Sequence, residues 1–184
     1  MKSIKFDYME YEIQLIGDSS YSLNSTDNKI RYKNEIGELK EFHPVTKIGI
    51  IVNKNEIEVN SAILFGYGGA SGLHQNSSML ENDKIFICIG DSVMCLSLPD
   101  LKLIWQTKLD NATCFEIFKF LDDFIIHGEL SISRINPDGK VKWNFYGSDI
   151  FTEEFKIIDN NIYATDFNHD LFKIDINTGK EIKT

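Results

Sequence analysis

Hydrophobic residues in this chain come in short runs of four to six, separated by small groups of polar, glycine or proline residues. Runs of that length, with no sustained 3.6-residue period, predict strands and little helix. The clearest unit spans residues 118–145. Phe118–Leu121 reads as a strand, Asp122-Asp123 as a turn, Phe124–His127 as a second strand and Ser131–Ile135 as a third. Asn136-Pro137-Asp138-Gly139 reads as a hairpin turn, in which Pro137 presets φ and Gly139 accepts a positive one. Lys140–Phe145 is the fourth strand.

That pattern recurs. The stretches KIFICIGDSVMCLSLPDLKLIW, DFIIHGELSISRINPDGKVKW and NIYATDFNHDLFKIDINTGKEIK stand in register. Val93, Ile132 and Leu171 are 39 residues apart, and Leu96, Ile135 and Ile174 repeat the spacing. A period near 40 residues made of short strands is the signature of a β-propeller blade. Trp105 and Trp143 end the fourth strand of successive units, where a large flat ring is expected to pack between neighbouring sheets. The last unit keeps the turn as Ile176-Asn177-Thr178-Gly179. The first has Leu98-Pro99-Asp100-Leu101, without glycine, so a different turn type is expected.

Residues 1–75 are β-rich without a clear repeat. Tyr11–Ile16 reads as a strand. Ile30–Lys33 and Leu39–Phe42 flank a turn at Glu35-Ile36-Gly37. Ile48–Val52 and Glu56–Val59 flank the hairpin signal Asn53-Lys54-Asn55, and Ser61–Phe65 follows. This segment is expected to form a degenerate blade or a layer closing the stack. The expected fold is all-β: a small or incomplete β-propeller of about four antiparallel sheets with little helix. It is expected to be a single domain over 1–184, with three repeats of about 39 residues in 79–184.

The repeats resemble quinoprotein-type and WD-type propeller blades. In quinoprotein-like blades an acidic or amide residue, a turn, Gly-Lys and often Trp recur in that order. Asp175, Gly179 and Lys180 match, as do Asn136, Gly139, Lys140 and Trp143; the first unit keeps Lys102 and Trp105. The resemblance implies blade geometry over residues 79–184. The dehydrogenase activity of quinoproteins is not carried over, because the further blades, vicinal cysteines and periplasmic address of those enzymes have no counterpart in this sequence.

Charge narrows the choice of partners. The net charge is −9, and residues 76–184 hold 18 acidic against 11 basic groups, whereas residues 1–75 hold 10 against 8. Such a surface repels nucleic acid and anionic membrane and attracts cationic partners. Cys88, Cys95 and Cys114 are odd in number and lack paired spacing, which predicts reduced thiols and a cytoplasmic location.

Candidate chemistry is sparse. The run Gly66-Tyr67-Gly68-Gly69-Ala70-Ser71-Gly72 has no glycine where Ser71 stands in the dinucleotide fingerprint, and no helical pattern follows. A bend between strands is the expected role. Asp166-x-Asn168-x-Asp170 has calcium-loop spacing, but Leu171 occupies the turn-glycine position, so a polar hairpin loop is expected. His43, His74, His127 and His169 lack metal-site pairing. His127 beside Gly128-Glu129 could be a base oriented by a carboxylate or a hydrogen-bonded strand residue. No cofactor, metal or catalytic residue is implied.

The acids in the turns suggest a negative rim with aromatic anchors: Asp122, Asp123, Glu153, Glu154, Asp159, Asp166 and Asp170 interleaved with Tyr146, Phe151 and Phe167. The expected function is a non-enzymatic cytoplasmic protein-binding protein. Its most concrete version is an acidic immunity or antitoxin protein that neutralises a basic toxin domain, such as a nuclease. A ligand-sensing or scaffold module is the alternative. An enzyme of unrecognised type using His127, Glu129 or His74 is the third.

Overall fold

The computed structural model describes residues 2–37 and 44–183. The predicted strand Leu39–Phe42 and His43 fall outside them. No helix occurs among the described residues. The strands form four sheets. The first has the order β1-β2-β4-β5-β3, from Ser3–Tyr8, Tyr11–Gly17, Thr46–Lys54, Ile57–Gly66 and Asn34–Ile36. The second is β6 (Ser78–Glu81), β7 (Lys84–Ile89), β8 (Ser92–Ser97) and β9 (Leu103–Lys108). The third is β10 (Cys114–Phe120), β11 (Asp123–Gly128), β12 (Ser131–Ile135) and β13 (Val141–Tyr146). The fourth is β14 (Phe155–Ile158), β15 (Asn161–Thr165) and β16 (Leu171–Asp175), with a bridge from Ile174 to Glu181 where a fourth strand would begin. The last three are antiparallel meanders.

The continuous apolar runs follow from burial on both faces. Successive strand side chains point to opposite faces. In β7, Ile85, Ile87 and Ile89 join Ile48, Ile50, Val52, Ala62 and Leu64 of the first sheet. Phe86 and Cys88 point the other way, to Ile117, Phe124 and Ile126 of the third. Ile125 and Ile132 pack on Ile162, Ala164 and Ile174 of the fourth. The two 39-residue columns therefore report opposite faces. Leu96, Ile135 and Ile174 face the preceding sheet; Val93 and Ile132 face the following one. Leu171 has no following sheet among the described residues and is 65% exposed. No hydrophobic cluster joins the fourth sheet to the first, so the stack is an open arc among the described residues.

The first sheet departs from the expected boundaries. Glu56 lies in the turn, and Ile57–Val59 and Ser61–Phe65 are one strand, β5, accommodated by a register shift between Val52 and Asn53 on β4. Ile30–Lys33 is not a strand; the short β3 follows it and pairs parallel with β5. The excursion 18–33 covers the free face of this sheet, placing Tyr21, Leu23 and Tyr32 over Ile63 and Phe65. The Tyr32 ring lies where a side chain at Gly49 would stand.

The tryptophans join neighbouring sheets as expected. The Trp105 indole N–H donates to the Pro137 carbonyl at 3.0 Å, and the Trp143 N–H donates to the Ile176 carbonyl at 3.1 Å. Each ring lies flat over the glycine of the next turn, so a Cβ at Gly139 would sit 2.6 Å from Trp105 and one at Gly179 2.5 Å from Trp143. Both glycines have positive φ, 76° and 68°. The glycine-free turn of the second sheet has a different partner. Leu101 takes the positive φ (56°), and the Asn60 side-chain amide donates to the Asp100 carbonyl at 2.8 Å.

Gly139→Ala and Gly179→Ala should each lower stability by about 1–3 kcal/mol, through left-handed strain and displacement of the ring. Gly72→Ala, which meets nothing within 4 Å, should stay within about 0.5 kcal/mol of wild type. Urea unfolding of the three variants checks this.

Candidate functional site

Antiparallel meanders send alternate connections to opposite ends. The β10–β11 and β14–β15 turns, and the turns after β8 and β12, lie at one end. The β11–β12 and β15–β16 turns and the sheet-to-sheet connections lie at the other, called here the loop end. This splits the expected rim. Asp122, Asp123 and Asp159 belong to the turn end, while Tyr146, Phe151, Glu153, Glu154, Asp166, Phe167 and Asp170 belong to the loop end.

Three of these ten side chains are interior, which corrects the expectation of an exposed rim at those positions. Asp123 is not a turn residue but the first residue of β11. It accepts from Arg134 Nε at 2.6 Å and Lys142 Nζ at 2.7 Å. Burial raises its carboxyl, but bonds from Lys142 and Arg134 and their charges outweigh this and hold it below its ordinary value. Arg134 also donates to the Ile176 carbonyl at 3.2 Å, so the cluster ties the third sheet to the fourth. Phe151 is buried beside Phe145 and Phe172. Asp166 is fully buried and organises its own loop: it accepts from the Ser148 hydroxyl at 2.7 Å and from the Asn168 and Asp170 N–H groups at 3.0 Å each. Desolvation opposes ionisation there, and these bonds hold the carboxyl low nonetheless. The Asp166–Asp170 segment is thus a polar hairpin loop. Among the described residues no group of three His, Cys, Asp or Glu is placed to hold a metal ion.

What remains exposed is concentrated at the loop end. The connections 147–154 and 166–170 carry Asp149, Glu153, Glu154, Asp166 and Asp170 and contain no Lys or Arg. They are joined: the Phe167 N–H donates to the Ile150 carbonyl and the Thr165 N–H to the Glu154 carbonyl, both at 2.9 Å. The Asn168 amide reaches Asp149 at 3.0 Å. Glu153, Glu154 and Asp170 are exposed, and Phe167 and Tyr146 stand 60% and 58% exposed beside them. Lys156 answers Glu154.

Next to these loops lies a cleft of about 420 Å³ lined by His74, Phe115, Glu116, His127, Phe151 and Thr152, with Ala70 and Gly72 of the glycine-rich connection. The glycines there serve backbone approach. Gly69 N–H donates to the Ala112 carbonyl at 2.7 Å, and a side chain at Gly69 would overlap Thr113. Gly68 has φ +82°, and its Cβ would lie against the Ala112 carbonyl. The Ser71 hydroxyl donates to the Cys114 carbonyl at 3.1 Å.

His127 is paired with Glu116, not with Glu129. The two residues are cross-strand partners on β10 and β11, and His127 Nδ1 lies 2.9 Å from Glu116 Oε2. The ring stacks on Phe155 of β14, centroids 4.3 Å apart, and Phe115 meets it edge-on. Glu116 also accepts from Asn76 Nδ2 at 3.2 Å. The bond from His127, then that from Asn76, holds the Glu116 carboxyl below its ordinary value against the opposing effect of burial. Sequence reasoning passed over Glu116. Its signal was a single acid within the apolar run Cys114–Phe120.

No family model and no curated protein matches the chain. Solved structures do match. BamB from Moraxella catarrhalis aligns with the whole chain at 14% identity, TM-score 0.55, over 66% of its own length. The WD40 β-propeller domain of Doa1 aligns with 95% of the chain at 10% identity, TM-score 0.51, over 50% of its length. The AfRom2 CNH domain gives 95%, 10% and 0.51, over 64%. The fold is that of a β-propeller. The four sheets are blades, and the chain spans about half to two thirds of the propellers it matches.

The lowered Glu116 carboxyl has a sign in stability. A carboxyl depressed on folding contributes fully above its unfolded value of about 4.3 and loses that contribution as pH falls through the folded value. Wild type should therefore lose stability on acidification below about pH 4.3, and Glu116→Gln should show a shallower acid slope in thermal melts from pH 3 to 7.

Proposed function

We propose that this propeller is a protein-binding module whose loop end takes a basic segment of a partner protein. The observation that carries this reading is the joined pair of connections, 147–154 and 166–170, which expose Glu153, Glu154 and Asp170 and contain no Lys or Arg. Exposed Phe167 and Tyr146 supply apolar contact within that charged surround. Aromatic anchors inside a charged rim suit protein recognition, and opposite charge accelerates encounter toward 10⁸–10⁹ M⁻¹s⁻¹ at low salt. The loops of a rigid β scaffold are where such recognition is placed.

The specific form of the proposal is an immunity or antitoxin protein, acting in the cytoplasm on a basic toxin domain. The −9 net charge supports it. A second reading, a small-molecule sensor, is favoured by the cleft of about 420 Å³ between Phe115 and Phe151, a volume within the usual range for small-ligand sites. A catalytic role for His127 is not proposed: both ring nitrogens already face acceptors within the protein.

The test is association kinetics with a basic protein encoded beside this chain. Glu153→Lys with Glu154→Lys should slow association roughly tenfold at low salt and flatten its salt dependence. Asp122→Lys with Asp138→Lys, at the turn end, should change it less than about twofold. Equal losses from both pairs would contradict the assignment of the surface. Saturable binding of a small metabolite with no salt dependence would favour the second reading.

A further inference from the structure

The His127 ring has an acceptor on each side. Nδ1 faces Glu116 Oε2 at 2.9 Å and Nε2 faces the Phe151 carbonyl at 3.2 Å. A carbonyl oxygen never donates, so Nε2 carries a proton when that bond is made. Glu116 is held ionised by the bonds it receives from His127 and Asn76, so it too is an acceptor. Both bonds are made together only by an imidazolium. That ring is 6% exposed and joins the third blade to the connection that leads to the fourth: β11 carries it, β10 supplies Glu116, and the acidic connection 147–154 supplies the carbonyl.

We propose that His127 is a protonation-dependent latch for the 147–154 loop, closed in the imidazolium form and open in the neutral form. A neutral ring has one proton. It stays on Nδ1, where the bond to a carboxylate is the stronger of the two. Nε2 then presents a lone pair to the Phe151 carbonyl, and the bond becomes a repulsion. Phe151 is followed directly by Thr152, Glu153 and Glu154, so release loosens the acidic surface. Glu116 faces the ring from β10, with Asn76 and, across the cleft, His74 from the connection before β6. From β14 the Phe155 ring stacks on it, and from 147–154 the Phe151 carbonyl meets it. The proposal rests on the reading of the loop end as the interaction surface only for its consequence, since the latch itself is read without a partner.

Hydrogen exchange of the whole protein alone, at pH 6 and pH 8 and corrected for intrinsic rate, tests it. The probes are the Phe151 amide, bonded to the Glu129 carbonyl at 2.6 Å, and the Phe167 amide, bonded to Ile150. Protection at both should fall roughly tenfold at pH 8, the scale of one lost charge-assisted bond. In His127→Gln the change should vanish. An equal fall in His127→Gln, or none in wild type, overturns the latch. Ring nitrogen NMR of wild type gives an answer even if the variant does not fold. Two protonated ring nitrogens are expected where the 147–154 amides are protected and one where they are not; a singly protonated ring in the protected state overturns it. Basic-partner binding that persists unchanged at both pH values while the loop opens would leave the interaction surface intact and remove only its regulation.

Discussion

The middle blades bury side chains on both faces, so each must have a blade on either side. Ile85 and Phe86 are chain neighbours, yet one belongs to the core shared with the first blade and the other to the core shared with the third. Each fully buried aliphatic side chain of this kind contributes on the order of 2 kcal/mol. Area alone leaves neighbouring sheets free to slide. The Trp105 and Trp143 indoles remove that freedom, because each N–H must reach one carbonyl and each ring must lie on one glycine. The Arg134–Asp123–Lys142 cluster adds a second, polar tie between the last two blades.

With both faces committed to stacking, strand ends are what the middle blades offer to a partner. The turn end is tight and mixed in charge, with Asp100, Asp122, Asp138 and Asp159 interspersed with Lys102, Lys140 and Lys180. The loop end is longer and acidic over the last two blades. Its acids divide into two kinds. Asp166 and Glu116 are turned inward and shape the loops, while Glu153, Glu154 and Asp170 are exposed to solvent. Inward carboxylates that accept backbone or imidazole bonds fix the geometry in which the outward ones are presented.

Much of this was legible in the sequence, and the failures have physical causes. The 39-residue columns located three blades, since a position buried against the preceding sheet recurs at every blade. The column ending at Leu171 is buried at Val93 and Ile132 but not at its last member, because burial there depends on a neighbouring sheet and not on the strand itself. The turn at residues 136–139 was legible because proline and glycine act locally. β1 was passed over because Lys5 and Asp7 interrupt its run on the exposed face of an edge strand. Interior placement of Asp123 was hidden for a different reason: its partners Arg134 and Lys142 lie 11 and 19 residues away, on other strands. Glu116 and His127 are likewise brought together by strand pairing alone.

A partner can engage these blades at the loop end or at the turn end. Amide chemical-shift mapping while a basic polypeptide is titrated into the intact protein decides this most directly. Shifts concentrated in residues 147–154 and 166–170 and around the Glu116–His127 cleft are what the structure predicts. Shifts concentrated instead at the turns 121–122, 136–139 and 159–160 would contradict it.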